Sequence, residues 1–389
     1  MVEFNPFIIS GYKSPEYFCD REQETQQLCE HIMNQRNVAL ISPRRLGKSG
    51  LILNAFHQNE IQDNYHTFYV DIYDTKNLTE FTYFFGKCVV EGLKSRGQKV
   101  WESFVNALKS MKLGVTFDMF GNPEWNVSMG EIHTPDLVLD EIFYYLEHAD
   151  KPCIVAFEEF QVVADYPEKT VEATLRKRIQ MCHNVNFIFS GSKQHMMSEM
   201  FASHARPFYN STTLMGLDPI DRKVYLEFAN KHLASNRQSI SADAFNYLYD
   251  WSEGVTWYIQ SMLNELYARK ENDIEFGRKY VEMALQTILQ RSAFAYKALL
   301  YQLAPKQKAV LYAIAREGKV EKLMSQRFLQ SNSLTASTVQ GAIKILLERD
   351  FVTFDEGQYM LQDRFFEEWI RNNNKYGEAP VPHGASDRQ

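Results

Sequence analysis

Residues 41–50 read ISPRRLGKSG and lie between the apolar stretches NVAL (37–40) and LILNAF (51–56). An apolar strand, a tight loop and a helix that opens with Gly-Lys-Ser are typical of a phosphate-binding loop, because backbone N–H groups and the positive end of the helix surround a phosphate. The consensus is G-x4-G-K-[ST], and Ser42 stands where its first glycine belongs. Pro43 offsets this substitution in part, since its fixed φ pre-forms the bend. The stretch therefore predicts phosphate binding.

The end of this loop carries the residue types that hold a triphosphate. Lys48 is expected to reach the β- and γ-phosphates, and the Ser49 hydroxyl is expected to ligand Mg²⁺. The alternative is a chance Gly-Lys-Ser sequence in a strand–helix turn, but the flanking pattern favours phosphate binding. The sequence thus predicts ATP and Mg²⁺ as ligands, held by Ser42, Pro43, Arg44, Arg45, Leu46, Gly47, Lys48, Ser49 and Gly50.

A second motif, CIVAFEEF (153–160), places two acidic residues at the end of an apolar strand. Hydrolysis of a triphosphate needs a carboxylate in the Mg²⁺ shell and a base that polarises the attacking water. Glu158 is predicted in the first role and Glu159 in the second; the alternative is two solvated carboxylates at a strand end. Because Glu158 replaces the usual aspartate, its carboxylate lies one methylene further out. The sequence therefore supports nucleotide binding more directly than turnover.

Ser190 ends the next apolar strand, NFIFSGS (186–192). A hydroxyl at this point could orient the attacking water or contact the γ-phosphate. A serine at the end of a strand also serves as a local turn former. Both interpretations stay open at this stage.

Composition narrows the class of protein. The chain has 389 residues, of which 45% are apolar and 23% charged, and its formal net charge is −7. These values fit a globular protein of two or three domains, and the charge argues against a surface that coats nucleic acid or anionic membrane throughout. Five cysteines without a CxxC pair indicate reduced thiols. Since no apolar run reaches the roughly 18–20 residues of a membrane span, we expect a cytoplasmic protein with no membrane segment.

The order of apolar segments predicts the architecture. Strands alternate with helices over residues 37–192, which indicates an α/β fold with a mostly parallel sheet covered on both faces. Residues 112–130 alternate apolar and polar side chains around a Gly-Asn-Pro-Glu turn, so a β-hairpin insertion is expected there. From about residue 218 helical periods replace the apolar strands. The low-complexity end, residues 374–389, is predicted to be disordered.

Six segments occur in a fixed order along nearly the whole chain: FCDREQETQQL (18–28), SPRRLGKSGL (42–51), IVAFEEFQVV (154–163), FIFSGSKQHMM (187–197), ARPFY (205–209) and EGVTWYIQ (253–260). Together they resemble the AAA+-related, STAND-like P-loop ATPases of archaea and bacteria, which usually carry an RRxGK[ST] loop. The resemblance implies a three-layer P-loop NTPase core, a helical lid and a C-terminal winged helix. The domains expected from it are residues 1–215, 216–300 and 301–373.

The resemblance also implies contacts with the base of the nucleotide. Phe18 and Arg21 match the family segment beside the adenine ring; the alternative is simply the start of a helix capped by Asp20. The segment EGVTWYIQ is similar to a lid motif, but Thr256 stands in place of its proline. A nucleotide contact from this segment is therefore an open question.

Arg206 in ARPFY matches a region where related proteins place an arginine that stabilises charge on the γ-phosphate. In many relatives this arginine lies a few residues later, where the chain has Ser211, and a surface arginine is the simpler explanation. Arg44 and Arg45 could instead face phosphate or a carboxylate of a neighbouring subunit. The sequence does not locate the arginine finger.

Residues 305–373 have the spacing of a winged helix, with three helices followed by a hairpin. Thr335 is expected to open the recognition helix, whose early residues Ser337, Thr338 and Gln340 could meet the edges of DNA bases. This pattern makes DNA a candidate partner.

The charges of this segment argue in both directions. Ten basic and nine acidic residues leave no clear positive face of the kind that DNA readers carry. Asp355 and Glu356 lie on the expected wing, where phosphates would approach, whereas Lys344 and Arg349 favour DNA binding. A winged helix that docks protein or serves as a lid fits the charges somewhat better.

Two functions follow from these observations. The first is a nucleotide switch, in which ATP binding and slow hydrolysis to ADP expose or hide a surface for an unknown protein partner. The second is a DNA-binding regulatory protein with a mainly structural ATP site. Nucleotide-dependent homo-oligomers are compatible with either function.

Overall fold

The computed structural model describes residues 4–94, 116–117, 123–124, 134–269, 271, 273–355 and 357–373. The predictions for Glu356 and for residues 374–389 lie outside these residues. So does most of the predicted hairpin insertion, of which the described residues are 116–117 and 123–124. The chain divides into two compact units, one formed by Met1–Ser239 with Tyr249–Tyr267 and the other by Ile240–Leu248 with Ala268–Gln389.

The described helices, in chain order, are α1 (Glu22–Met33), α2 (Lys48–Phe56), α3 (Asn59–Asn64), α4 (Leu78–Lys94), α5 (Pro135–Glu147), α6 (Val171–Met181), α7 (Gln194–Ala202), α8 (Arg222–Leu233), α9 (Ala242–Ser252), α10 (Thr256–Tyr267), α11 (Arg278–Tyr301), α12 (Pro305–Glu317), α13 (Gln326–Ser331), α14 (Ala336–Glu348) and α15 (Arg364–Asn373). The strands are β1 (Val38–Ile41), β2 (His66–Asp71), β3 (Thr116–Phe117), β4 (Pro123–Glu124), β5 (Cys153–Glu158), β6 (Val185–Gly191), β7 (Thr213–Gly216), β8 (Gln238–Ile240), β9 (Ile274–Phe276), β10 (Val352–Asp355) and β11 (Gln358–Leu361). The short strands β3 and β4 pair antiparallel.

Five parallel strands form the sheet of the first unit, in the order β2-β5-β6-β1-β7. Strand β6 therefore lies between β1 and β5. Because parallel strands end at the same edge of a sheet, the loop after β1 and the acidic residues at the end of β5 share one edge. The end of β6 lies between them and is placed to contact both.

Helices cover both faces of this sheet. Successive side chains of a strand point to opposite faces, so Val155 and Phe157 of β5 belong to one buried cluster and Ile154 and Ala156 to the other. The first cluster includes side chains of α4, α5 and α6, and the second includes side chains of α1 and α2. This arrangement confirms the predicted three-layer α/β fold.

Phe160 anchors the turn that follows the two acidic residues of β5. Its side chain is fully buried, and its ring centroid lies 4.6 Å from that of Phe189, 6.0 Å from that of Phe201 and 5.5 Å from that of Phe208. Burial of one such side chain stabilises a fold by about 1.5–3 kcal/mol. The backbone next to Glu159 is thus held by the core.

Helix α1 starts later than the sequence suggests. Arg21 occupies the N-cap position, without a capping hydrogen bond from its side chain, and Glu22 is the first helical residue. The interpretation of Asp20 as the cap is wrong. Arg21 instead turns its guanidinium toward the phosphate loop, where it donates to the carbonyl oxygen of Leu46.

The second unit contains the C-terminal winged helix. Helices α12, α13 and α14 precede the antiparallel hairpin of β10 and β11, and Val320 pairs with Tyr359 of β11. Thr335 caps α14, since its hydroxyl accepts a hydrogen bond of 3.2 Å from the N–H of Thr338. The three predicted helices and the hairpin are therefore present. None of the helices in the described part of the chain combines the length and apolarity that a membrane crossing requires.

Candidate nucleotide-binding site

The phosphate loop joins β1 to α2 through two residues with left-handed backbone. Arg45 has a φ of +70°, and Gly47, directly before α2, has a φ of +100°. Glycine reaches such a φ without the steric penalty that a side chain would carry. Ser42 has no positive φ, so the conformational freedom of the consensus glycine is not needed there. The serine is compatible with this loop.

Lys48 lies inside the loop, and only 5% of its surface is exposed. Its Nζ donates hydrogen bonds to the carbonyl oxygens of Ser42 at 2.8 Å and of Pro43 at 3.0 Å. Burial lowers the pKa of Lys48 to about 8, although the carboxylates of Glu159 and Glu158 act in the opposite direction. An entering phosphate would replace the loop carbonyls as the partner of this ammonium group.

Ser49 and Glu158 are in direct contact. The Ser49 hydroxyl donates a hydrogen bond to Oε1 of Glu158, the last residue of β5. The pKa of Glu158 is raised, chiefly because burial disfavours its charged form. The hydrogen bond from Ser49 and the charge of Lys48 act in the opposite direction, whereas the carboxylate of Glu159 raises the pKa further. A hydroxyl and a carboxylate are oxygen donors that suit Mg²⁺, which takes few protein ligands and completes its octahedron with water and phosphate oxygens. These two residues therefore fit the predicted metal position.

Within the described ranges, no group of three or more His, Cys, Asp or Glu side chains is arranged to hold a metal ion. A cation at Ser49 and Glu158 would take its remaining ligands from water and phosphate oxygens. This coordination is the usual situation for Mg²⁺ at sites that bind substrate phosphates.

Glu159 is held in an unusual conformation. Its φ is +56°, and a non-glycine residue in this region is strained by about 1–3 kcal/mol, a strain that clusters at functional sites. Its Oε2 accepts hydrogen bonds from the Ser192 hydroxyl at 2.7 Å and from Nε2 of Gln161. Nε of Arg44 donates in turn to the Ser192 hydroxyl at 3.2 Å. The predicted base is therefore connected through Ser192 to the phosphate loop.

Arg45 contacts the start of α10. Its guanidinium carbon lies 4.2 Å from the ring centroid of Trp257, and its NH1 donates a hydrogen bond of 2.7 Å to the Tyr258 hydroxyl. The N–H of Trp257 donates to the carbonyl oxygen of Arg45 at 3.1 Å, and the Thr256 hydroxyl donates to that of Leu46 at 3.4 Å. The segment EGVTWYIQ thus adjoins the phosphate loop directly.

A cavity of about 560 Å³ extends from the loop toward the N-terminal segment, within the usual size range of small-molecule sites. Phe18 lies at its wall against the first turn of α2, because a Cβ on Gly50 would come within 2.8 Å of Cε2 of Phe18. Arg21 is buried; it donates to the carbonyl oxygen of Leu46 at 3.2 Å and pairs with Glu24 at 2.6 Å. The predicted residues that line this cavity are Phe18, Arg21, Arg44, Arg45, Leu46, Gly47, Lys48, Ser49, Gly50, Glu158 and Glu159.

Two predicted catalytic residues lie elsewhere. Ser190 is fully buried, and its hydroxyl has no hydrogen-bond partner among the described residues. Arg206 forms ion pairs with Glu172 at 3.2 Å and Glu199 at 3.5 Å. Neither side chain lines the cavity. Ser190 pairs in register with Leu40 of β1, so it lies beside the strand that leads to the loop without facing the cavity.

Four contacting residues were not singled out from the sequence. Ser192 and Gln161 hold Glu159, while Trp257 and Tyr258 hold Arg45. The signal for Ser192 was its place two residues after Ser190, at the end of the strand between β1 and β5. No local pattern could have paired Trp257 with a loop more than two hundred residues earlier in the chain.

The expected recognition helix α14 exposes a polar stripe. Ser337, Gln340 and Lys344 are all exposed and recur at helical spacing. Lys344 pairs with Glu348 at 3.8 Å, and Arg349 donates to the carbonyl oxygen of Gln302 at 2.9 Å and to its side chain at 2.6 Å. Both cations that favoured DNA therefore have partners within the second unit.

Comparison with known families and structures identifies the fold. The family model described as "Probable winged helix domain" matches residues 294–372. A Walker-type ATPase of Pyrococcus abyssi is similar in structure, with a TM-score of 0.61 and 17% identity over 94% of this chain and 99% of that chain. No match was found among curated protein sequences.

Two further similar structures come from Aeropyrum pernix. Its ORC2 protein, in ADPNP–ADP complexes, has a TM-score of 0.55 and 13% identity over 95% of this chain and 97% of that chain. Its ORC1 protein, in complex with DNA, has a TM-score of 0.53 and 13% identity over 92% of this chain and 94% of that chain. These likenesses show that the chain has the fold of a P-loop ATPase with a C-terminal winged helix, as predicted.

Proposed function

We propose that this protein binds ATP with Mg²⁺ in the cavity beside the phosphate loop and hydrolyses it slowly, as an AAA+-related, STAND-like ATPase of the cytoplasm. The observation that carries the proposal is the contact of Ser49 with Glu158 next to the buried ammonium of Lys48. A hydroxyl, a carboxylate and a cation at one loop match the three needs of a magnesium triphosphate. The ADPNP–ADP complexes of the ORC2 protein, which is similar in fold, support nucleotide binding.

Binding would use the residues of the loop and its neighbours. The N–H groups of the loop and the N-terminus of α2 surround phosphate oxygens, and Lys48 exchanges the carbonyl oxygens of Ser42 and Pro43 for them. Mg²⁺, when bound by Ser49 and Glu158, would offset the charge of the phosphates. Phe18 and Arg21 also line the cavity, and we assign them to the base and sugar.

Hydrolysis would depend on Glu159. Glu159 lines the same cavity as Lys48 and Ser49, which supports a role as the base that polarises the attacking water. Arg44 is linked to Glu159 through Ser192. Of the two loop arginines, Arg44 is therefore the one connected to the proposed base. Arg206 is paired with Glu172 and Glu199 of its own chain, so a finger role would require it to reach the site of a second copy, and the Arg206→Ala variant tests that role.

The switch role is the further step of this proposal. The nucleotide state would govern whether a surface for a protein partner is exposed, by changing the arrangement of the predicted helical lid (216–300) and winged helix (301–373). A ligand can shift such an equilibrium only through different affinities for the two states. The supporting observation is that α10 contacts the phosphate loop at Arg45 and Leu46.

The test uses two variants with different expected effects. Lys48→Ala should weaken ATP binding strongly, whereas Glu159→Gln should retain binding and lose phosphate release. Calorimetric ATP affinity and steady-state phosphate release are the two measurements, and Glu168→Gln provides a matched exposed carboxylate outside the cavity lining. If neither Lys48→Ala nor Glu159→Gln differs from the wild type, the proposed site is wrong.

A second candidate function is DNA binding by the winged helix. The exposed polar stripe Ser337, Gln340 and Lys344 on α14 favours it, and the ORC1 protein of the same fold was solved in complex with DNA. Duplex affinity measured against salt concentration tests this candidate, because each neutralised phosphate steepens the salt slope. Lys344→Glu should make this slope shallower by about one phosphate contact, and a flat slope in the wild type would argue for protein docking instead.

A further inference from the structure

The adjacent arginines of the phosphate loop point to different neighbours. Nε of Arg44 donates to Ser192, and its guanidinium carbon lies 5.7 Å from the ring centroid of Tyr73. Arg45 is turned toward α10, where it stacks on Trp257 and donates to the Tyr258 hydroxyl. Although both residues occur in one RR pair and both were expected to face phosphate or a carboxylate, the structure separates their surroundings.

Arg45 contacts α10 through backbone hydrogen bonds as well as through its side chain. Its carbonyl oxygen accepts the N–H of Trp257 at 3.1 Å, and the next carbonyl, that of Leu46, accepts the Thr256 hydroxyl at 3.4 Å. Arg45 also has a φ of +70°, a conformation that an L-residue adopts only where its surroundings hold it. The contacts with α10 supply this restraint. They act on Arg45, which directly precedes Leu46 and lies two residues before Gly47.

Trp257 also contacts the N-terminal segment that lines the cavity. Nε1 of Trp257 donates a hydrogen bond of 3.0 Å to the carbonyl oxygen of Ile9, and both residues line the cavity. Helix α10 belongs to the same compact unit as the loop and the N-terminal segment. Trp257 thus joins three parts of one site: the loop, α10 and the segment that precedes Phe18.

From these contacts we infer that Arg45 is a positioning residue, which acts through Trp257 and Tyr258 to hold the phosphate loop in its nucleotide-accepting conformation and is not itself a phosphate ligand. This inference rests on the proposed nucleotide binding. Its chemistry is a cation–π contact with Trp257, reinforced by the hydrogen bond to Tyr258. The phosphate-facing role among the two arginines then falls to Arg44.

A double-mutant cycle tests the inference, with calorimetric affinities for ATP and ADP as the readout. Arg45→Ala and Trp257→Leu should each weaken both nucleotides about 2- to 25-fold, the range of a cation–π contact. The double variant should be no weaker than the worse single variant, because both changes break the same contact. If Arg45→Ala weakens ATP as much in the Trp257→Leu background as in the wild type, Arg45 acts directly and the inference is overturned.

Conservative variants separate positioning from a general loss of structure. Trp257→Phe keeps an aromatic face and should restore most of the affinity that Trp257→Leu loses. Arg45→Lys keeps a cation but loses the planar fork that also reaches Tyr258, so it should restore only part of what Arg45→Ala loses. Full restoration by Arg45→Lys alone would indicate a charge contact with phosphate and contradict the inference. Arg44→Ala serves as the contrast, since it should weaken ATP more than ADP and be additive with Trp257→Leu.

The same cycle distinguishes failure of the inference from failure of the proposed function. Additive effects in a wild type that binds ATP overturn the inference alone. A wild type that binds neither nucleotide overturns the proposed function, and the cycle is then measured on the free energy of unfolding of the nucleotide-free protein. A coupling free energy between Arg45 and Trp257 in unfolding would support their contact as the restraint on the loop. If the two effects on the free energy of unfolding are additive, the inference is overturned.

Discussion

The hydroxyl of Ser192 donates a hydrogen bond of 2.7 Å to Oε2 of Glu159 and accepts one of 3.2 Å from Nε of Arg44. This position follows from the strand order, since β6 lies between the strand that leads to the phosphate loop and the strand that ends in the acidic pair. A polar side chain just beyond the end of β6 can therefore contact both. Glu159, the proposed base, and the loop are therefore connected through one serine.

The first prediction compares Ser192 with Ser190. Ser192→Ala removes the hydrogen bonds to both Glu159 and Arg44. It should lower kcat for ATP hydrolysis more than it changes KM, because the proposed base loses its orientation while Lys48 and Ser49 keep their contacts. Ser190→Ala removes a buried hydroxyl that has no partner among the described residues, so it should leave kcat unchanged and preserve or raise the melting temperature. Steady-state kinetics and thermal unfolding of both variants provide the measurement. The reverse result, with kcat reduced only by Ser190→Ala, would restore Ser190 as the residue that orients the water.

The second prediction concerns the contact between Phe18 and Gly50. An alanine at Gly50 would bring its Cβ within 2.8 Å of the Phe18 ring, and such overpacking is destabilising by about 1–3 kcal/mol. Gly50→Ala should therefore lower both the free energy of unfolding and the affinity for ATP. Gly341→Ala is the matched control, because Gly341 lies within α14 and a methyl group there would meet open space among the described residues. There, alanine should stabilise the helix by up to about 1 kcal/mol, and equal effects at both sites would contradict the packing argument.

The third prediction is that Arg206 contributes to the stability of the fold and not to the rate of hydrolysis. Arg206 pairs with Glu172, whose side chain is 11% exposed, and with Glu199. Burial raises the pKa of Glu172 and Arg206 lowers it, so Arg206→Ala leaves a poorly solvated carboxylate without its cation. The free energy of unfolding should fall by about 1–3 kcal/mol, and the additional change Glu172→Gln should restore part of it. The hydrolysis rate of the folded protein should stay unchanged, whereas an arginine finger would be revealed by a loss of about 10³-fold or more.

Residues that the sequence could place are those whose position follows from the order of strands. Lys48, Ser49 and Glu158 were predicted at one triphosphate site from the loop motif and the acidic strand end. They are brought together in the structure because parallel strands have their ends at one edge of the sheet. Ser190 was the natural choice on β6 because it ends the apolar run. Side chains alternate along a strand, however, and Ser190 shares the face of Ile188, which packs in the cluster of α1 and α2.

The contacts of Arg45 illustrate what the sequence could not supply. Its stacking on Trp257 joins residues far apart along the chain, and the substitution of Thr256 for a proline made that segment look less able to reach the nucleotide. The structure shows instead that the Thr256 hydroxyl and the Trp257 N–H donate to two successive carbonyl oxygens of the loop. Such pairing depends on tertiary packing, which no local periodicity encodes.

The last prediction is a pH dependence of ATP binding that originates at Lys48. Burial lowers the pKa of Lys48 to about 8, so in the nucleotide-free protein the ammonium loses its proton as the pH rises through that value. Because phosphate favours the charged form, the bound state has the higher pKa, and binding above pH 8 must take up a proton. ATP affinity should thus be nearly constant below about pH 7 and fall by up to about tenfold per unit above pH 8. Calorimetric titrations at pH 7, 8 and 9 in buffers of different ionisation enthalpy would measure both the affinity and the proton uptake.

Lys48→Arg is the control for this dependence. A guanidinium stays charged over the whole range, so any part of the slope that comes from Lys48 should disappear in this variant, while titration of the nucleotide and of other groups is retained. Lys48 has the carbonyl oxygens of Ser42 and Pro43 as its partners in the free loop, and arginine can donate to the same atoms. Equal slopes and equal proton uptake in the wild type and Lys48→Arg would show that the ammonium does not titrate in this range, and that its burial does not control nucleotide binding.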